Sequence, residues 1–317
     1  MHGNRTLKLI GFCLLQAVPI LIAATLLVFL LMHLVPGDIA ITLAGETATR
    51  ERIEEIRQLY GLDRSALMQY WIWLSNILRG DFSNSLLSNV PVLDSILARL
   101  PVSLTLVGIA MFISLAFGIP IGIFAASRPG STVDSLVTNI ASVGIALPGF
   151  WLGMILVTWL AMNLQLFPVS GMTHPSDSFW RAVYDATLPA VALGASGIAE
   201  VARQTRSALI EFQSSQHMRT LVAKGLTHTS IFWKHGLKNI SVTLLTVVGL
   251  LFNRLLGGTV VIEAVFAING MGSLVVAAAS GKDFPVMQGV MLTMVLIVVL
   301  VNLVIEILYS LLDPRTS

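Results

Sequence analysis

The sequence predicts an all-α integral membrane protein with six transmembrane helices, and three observations carry that prediction. Of 317 residues, 55% are hydrophobic and only 11% are charged, and the mean hydropathy is +0.83. One soluble core of this size could not hide so much apolar surface, so lipid must be its solvent. The apolar residues fall in charge-poor runs of about 20 residues or more, the length a helix needs to cross hydrocarbon with every backbone amide satisfied. The usual soluble signatures are missing: no GxxxxGK[ST] phosphate loop, no Gly-rich dinucleotide turn after a strand and no GxSxG nucleophile elbow occurs. The chain is therefore not expected to bind and hydrolyse ATP by the usual loop.

Residues 1–8, with Arg5 and Lys8, precede the first expected span at 9–35. That span exceeds the roughly 7–15 residues of a signal-peptide core and no A-x-A site closes it, so it is expected to remain as an anchor. The single cysteine, Cys13, lies inside it, which excludes an intrachain disulfide or a Cys-based metal site. Residues 36–100 form a long polar loop or subdomain. Its middle favours an amphipathic helix with Ile53, Ile56 and Leu59 on one stripe. Tyr70, Trp71 and Trp73 fit either the headgroup layer or the packing of a small subdomain.

The core domain, 101–317, holds the other five spans. Residues 101–126 lie in the charge-free stretch between Arg99 and Arg128, and a third span follows at 136–162. The fourth, 186–208, carries Glu200, Arg203 and Arg206 near one end; the fifth, 241–262, has Arg254 near its middle. The sixth covers 284–311, with Glu306 solvated near its end. Pro120 and Pro148 fall inside spans and should bend them by removing a backbone donor. Gly118-x-x-x-Gly122 and Gly149-x-x-x-Gly153 allow close helix contacts and are expected to serve packing.

Lys and Arg in short loops set the orientation. With the N-terminus inside, the cytoplasmic segments hold ten: Arg5, Lys8, Arg128, Arg203, Arg206, Arg219, Lys224, Lys234, Lys238 and Arg315. The two short outer loops hold only Arg181 and Lys282. Both termini are thus expected in the cytoplasm and the long first loop outside.

One inner segment is unlike a plain connector. Residues 209–240 lie between the fourth and fifth spans, and from Gln213 to Ile240 there are four Lys or Arg, three His and no acidic residue. Met218 to Lys224 favours helix, Gly225 can end it in a left-handed conformation, and Ser230 to Lys238 begins another. Two short helices around a glycine make a protruding knob.

Here the sequence resembles the permease subunits of ABC importers for dipeptides, oligopeptides and nickel. HMRTLVAKGL (His217 to Leu226) looks like that family's loop contacting the ATPase, with Arg219-Thr220-Leu221 in its EAA position. Further matching motifs are HLVPGD (33–38), YGLD (60–63), RGDFSNSL (79–86), RLPVSLTL (99–106), LPGFWLG (147–153) and LPAVALG (188–194). The C-terminal blocks GGTVVIEAVFAINGMGSLV (257–275), DFPVMQG (283–289) and VNLVIEILYSLLDPR (301–315) match closely. Thr243 stands where the family usually has proline.

The resemblance implies a bacterial inner-membrane, multi-pass transport subunit that is not itself an enzyme and carries no catalytic residue or ATPase site of its own. Its partners would be a second homologous permease, two cytoplasmic ATPases (or one used twice) and an extracytoplasmic substrate-binding protein, with no nucleic acid. ATP and Mg would sit on the ATPases, leaving no cofactor in this chain. The implied coupling loop comprises Met218, Arg219, Thr220, Leu221, Val222, Ala223, Lys224, Gly225 and Leu226. Peptides are the substrate expected; nickel or a metal chelate, glutathione and other small solutes are alternatives. An ion-coupled secondary transporter would need intramembrane carboxylates, and only Glu200 and Glu263 qualify. The six histidines show no ligand spacing that would hold a metal.

Arg254 receives no role from the resemblance. A charge deep in a span should face the bundle interior, a partner or water. Two readings stay open: Asn253 and Arg254 line the translocation path and attract an anionic group, or Arg254 pairs internally with Glu200 or Glu263.

Overall fold

A computed structural model of the chain describes residues 15, 18–30, 39–44, 48–59 and 61–312. The stretch 1–8, much of the first expected span, Cys13, the motif at 33–38 and residues 313–317 lie outside the described residues. Helices dominate. In order they are α1 (Val18–Leu30), α2 (Ile39–Ala44), α3 (Arg50–Leu59), α4 (Ala66–Leu78) and α5 (Val92–Ser127). Next come α6 (Thr132–Ala146), α7 (Gly149–Leu156) with a π-helical continuation (Val157–Asn163), α8 (Phe179–Asp185), α9 (Thr187–Ser214) and α10 (Gln216–Ala223). A run of α11 (His228–Ser230), a π turn (Ile231–Gly236) and α12 (Leu237–Asn239) leads to α13 (Ser241–Val265), α14 (Met271–Gly281) and α15 (Phe284–Leu312). Among the described residues, the one isolated β-bridge pairs Asn84 with Pro91.

Among the described residues, three helices are long and apolar enough to cross a membrane: Val92–Ser127, Ser241–Val265 and Phe284–Tyr309 within α15. Two bent pairs, α6 with α7 and its continuation (94°) and α8 with α9 (60°), raise the number to as many as five when each pair is counted as one span. Of the first span expected at 9–35, the described helix is α1. Two helix limits differ from expectation. α5 begins at Val92 rather than 101, and α9 continues to Ser214, into the segment expected as loop from 209. Charged residues such as Arg99 and Glu211 mark the limits of a hydrocarbon crossing, yet they do not stop a helix, whose ends depend on caps. The two prolines also part company. Pro120 stays inside the continuous α5, whereas Leu147 and Pro148 turn extended, with ψ 125° and 128°, and break the third span. Proline disfavours the helical conformation in the residue before it, which places the break at Leu147.

The described residues of 10–100 and 270–300 form one compact unit, and those of 101–269 and 301–317 form another. In the first, α3 turns Ile53 and Ile56 inward and carries the exposed pairs Arg52–Glu55 and Arg57–Glu54. Tyr70 is buried, sets its ring edge-on to Phe29 at 5.4 Å, and shares a 3.0 Å hydrogen bond with the Thr25 hydroxyl. Trp73 joins that cluster while Trp71 is exposed, so the aromatic group divides between packing and surface. Buried Val92, Ile96, Met271, Phe284 and Met287 make the core of this unit. Asp283, also buried, accepts hydrogen bonds from Ser85 Oγ at 2.5 Å and Leu86 N at 3.2 Å. The motifs at 79–86 and 283–289 thus meet through one carboxylate.

The second unit is built around α9, whose small residues let its neighbours come close. A Cβ on Gly122 of α5 would sit 2.6 Å from the Ala202 carbonyl oxygen, and one on Gly118 would sit 2.8 Å from that of Ile198. In return, a Cβ on Gly194 would meet the Ala110 carbonyl oxygen at 2.8 Å. Ser114 seals the crossing by donating to the carbonyls of Ala110 (2.8 Å) and Gly194 (3.0 Å). Gly149 and Gly153 of α7 lie against Ala192 in the same way. Both glycine pairs therefore serve packing.

Gly122→Val is expected to cost about 1–3 kcal/mol by forcing α5 from α9, read as a lower melting temperature of the detergent-solubilised protein. Gly108→Ala in the same helix meets nothing within 4 Å and should leave that temperature unchanged or slightly higher. Equal effects of the two would remove the close-packing account.

Candidate functional site

The polar segment after α9 is a short helix held on an apolar seat. Ser215 caps α10 by accepting from Met218 N at 3.2 Å. At the other end the Gly225 N–H donates to Val222 O (2.9 Å) and the Leu226 N–H to Leu221 O (3.4 Å), with Gly225 at φ +73°. This pairing of crossed backbone bonds around a left-handed residue is a Schellman C-cap, which a glycine adopts without Cβ strain.

Leu221 is the buried anchor of α10, with Met218 partly buried beside it. They pack with Ile123, Leu209, Phe212, Ile231 and Phe232. The π turn brings Ile231, Phe232 and Gly236 inward together, and a Cβ on Gly236 would stand 2.9 Å from Leu209 Cδ2. Gln213 ties the end of α9 to α5 by donating to Ala126 O at 2.6 Å. Arg219, Thr220, Val222, Ala223, Lys224, Gly225 and Leu226 are exposed. The surface they form is cationic and partly apolar, with Val222 57% exposed.

A second tie was not legible in the sequence. Asp134, buried at the start of α6, takes a bidentate contact from Arg206 of α9: Nη2 donates to Oδ2 at 2.7 Å and Nε to Oδ1. Oδ2 also accepts from Gly130 N at 2.9 Å, and Asp134 N donates to the capping Ser131 hydroxyl. The two partners are 72 residues apart. The usable signal was that Asp134 is the one acidic residue between the second and third expected spans, facing an Arg at a span end.

Arg254 is paired. Its Nη2 donates to Glu200 Oε2 at 2.7 Å, with the Arg254 side chain 47% and the Glu200 side chain 17% exposed. Glu263 is fully buried and accepts from Ser103 Oγ at 2.5 Å. Of the two carboxylates considered for Arg254, the partner is Glu200. Asn253 is half-buried and its Oδ1 is buried without a hydrogen-bond partner. The exposed positions of α13 around the pair, Leu250, Arg254, Gly257 and Val261, follow one stripe. One face of α9 is polar, with Ser196, Glu200, Arg203, Gln204, Ser207 and Glu211 on it, and of these Arg203, Ser207 and Glu211 are exposed.

Residues 118–317 match the family described as the binding-protein-dependent transport system inner membrane component, and residues 7–107 match its N-terminal component. The chain belongs to this family. As a member of it, the protein is a multi-pass inner-membrane transport component. It is 38% identical over 300 or so residues to the glutathione transport system permease protein GsiC of Escherichia coli (strain K12), covering 95% of this chain and 96% of that one. It is 34% identical to the oligopeptide transport system permease protein AppB of Bacillus subtilis (strain 168), covering 95% and 96%. In fold it is similar to a chain of the MetNI methionine ABC transporter in inward-facing conformations, with TM-score 0.57 and 18% identity. That likeness covers 69% of this chain and 96% of the other.

The C-cap yields a direct expectation. Gly225→Val places a β-branched residue at positive φ, where a Cβ costs about 1–2 kcal/mol, so the end of α10 should fray and trypsin should cut faster after Lys224. Gly225→Asn, which tolerates the left-handed conformation, should stay near the parent rate. Identical rates for both variants would exclude the Schellman cap.

Proposed function

We propose that this permease is one of two homologous transmembrane subunits that form the path of an ATP-driven peptide importer, and that α10 with its Gly225 cap is where a cytoplasmic ATPase engages it. The carrying observation is the two-sided character of α10. Leu221 and Met218 grip the apolar seat, while Arg219, Val222, Lys224 and Leu226 are presented outward. A short helix fixed on one face and exposed on the other transmits rigid-body motion from a docked partner into the helices beneath it. Here those helices are α5 and α9, through Ile123, Leu209 and Phe212.

The remaining assignments follow from the same reading. The distribution of Lys and Arg supports cytoplasmic termini and a cytoplasmic α10. ATP and Mg belong on two ATPase subunits, or one used twice, so this subunit has no catalytic residue or cofactor of its own; an extracytoplasmic binding protein delivers the substrate. Small peptides are the substrate class, since oligopeptide and glutathione carriers stand among the relatives and both cargoes are peptidic. The face bearing Asn253 and Arg254 lines the path, because the Arg254 guanidinium stays half-exposed even when paired with Glu200, and an exposed charge inside a span calls for water.

Gly225→Leu tests the coupling assignment. In proteoliposomes holding the whole importer, uptake per ATP hydrolysed should fall at least tenfold, or the ATPase should no longer co-purify in mild detergent, while the chain remains in the membrane. Parental uptake by a variant that retains its ATPase would place the coupling site elsewhere.

A further inference from the structure

The two ion pairs of α9 differ in a way that separates a fixed strut from an exchangeable contact. Arg206 holds a buried Asp134 by two hydrogen bonds, and that carboxylate is satisfied from Gly130 as well. Arg254 spends one of the five donors of a guanidinium on Glu200, and its side chain is 47% exposed. The first geometry is the bidentate fork that locks a position. The second is a single contact, open to water on the arginine side, and contacts of that kind are cheap to trade.

Their surroundings also differ. Around the second pair, a Cβ on Gly257 would meet nothing within 4 Å, leaving open space one turn along α13 from Arg254. Ser196, Arg203 and Ser207 continue the polar face of α9 on either side of Glu200. Asn253 adds a buried carbonyl oxygen that lacks a partner.

We infer that Glu200 and Arg254 form a station for the two charged ends of a short zwitterionic peptide. Resting on the importer reading above, it gives that path a ligand chemistry. The peptide ammonium replaces Arg254 on the Glu200 carboxylate, and the peptide carboxylate replaces Glu200 on the guanidinium. One internal pair becomes two pairs with substrate, so the site stays neutral and no net charge enters the membrane interior. Two or three residues span at most about 7–11 Å, a gap that a long arginine stem and a glutamate can open between them. Because only the termini are read, side chains of many kinds can pass.

The test uses the assembled importer with Cys13→Ser and Gly257→Cys, labelled by a water-soluble trimethylammonium methanethiosulfonate. Millimolar trialanine should slow labelling at least threefold, trialanine amide should protect much less, and Glu200→Gln with Arg254→Gln should abolish the protection. Arg254→Lys, which keeps the charge, should retain it. Equal protection by the acid and the amide, protection that survives in the double variant, or its loss in Arg254→Lys would each overturn the station while leaving the path itself intact. An unreactive Gly257→Cys would overturn both, since that face would then be dry. Recovery of the ATPase with each variant identifies assembled complexes, and the acid-to-amide comparison on the Gly257→Cys parent decides the matter even where the double variant does not assemble.

Discussion

The close approach of α5 and α9 is the contact on which the second unit depends. In lipid there is no hydrophobic force to press two helices together, so association rests on van der Waals contact and hydrogen bonds. Four glycines, Gly118, Gly122, Gly194 and Gly197, bring one helix against the other, and the Ser114 hydroxyl bridges to the Gly194 carbonyl. α9 can then serve as the central post: α6 is tied to it by Asp134–Arg206, α7 by glycines on Ala192, and α13 by Glu200–Arg254. The apolar seat under α10 is continuous with that post through Leu209 and Phe212. A displacement of α10 is therefore carried by packed side chains into a helix that meets most of the unit.

The fold class was legible because hydrocarbon imposes a length and a composition that few other constraints mimic. Helix limits were less so. A charge-free run measures how much chain the membrane tolerates, and α5 and α9 both continue as helix past their flanking charges. The prolines teach a related lesson. Both remove a donor, but Pro120 lies between Gly118 and Gly122 where α5 is held against α9, whereas Pro148 follows Leu147 at the place where the chain turns. Sequence alone treats the two alike because the holding contacts come from another helix.

For the candidate site the division is similar. The Gly225 cap is a local signal, and its left-handed conformation and neighbouring helix were readable from residues a few positions apart. The apolar seat was not, because Ile123 and Ile231 reach it from segments separated by most of a domain. Arg254 stands out in the sequence as a charge inside a span, but its partner is set by tertiary contacts: Glu263 is committed to the buried Ser103 hydroxyl, and Glu200 takes the guanidinium.

The right-angle break between α6 and α7 bears on how the chain enters the membrane. α6 has 15 residues, and α7 with its π continuation has 8 and 7. At 1.5 Å per residue each arm is only about 22 Å long, short of the roughly 30 Å of hydrocarbon. Neither arm is a stable crossing by itself, and the carbonyls freed at the corner need protein around them. The helix that holds both arms, α9, with Arg206 on Asp134 of α6 and Ala192 against α7, is synthesised afterwards. This span is consequently completed in reverse order, its place in the bilayer secured only when a later helix arrives to hold it.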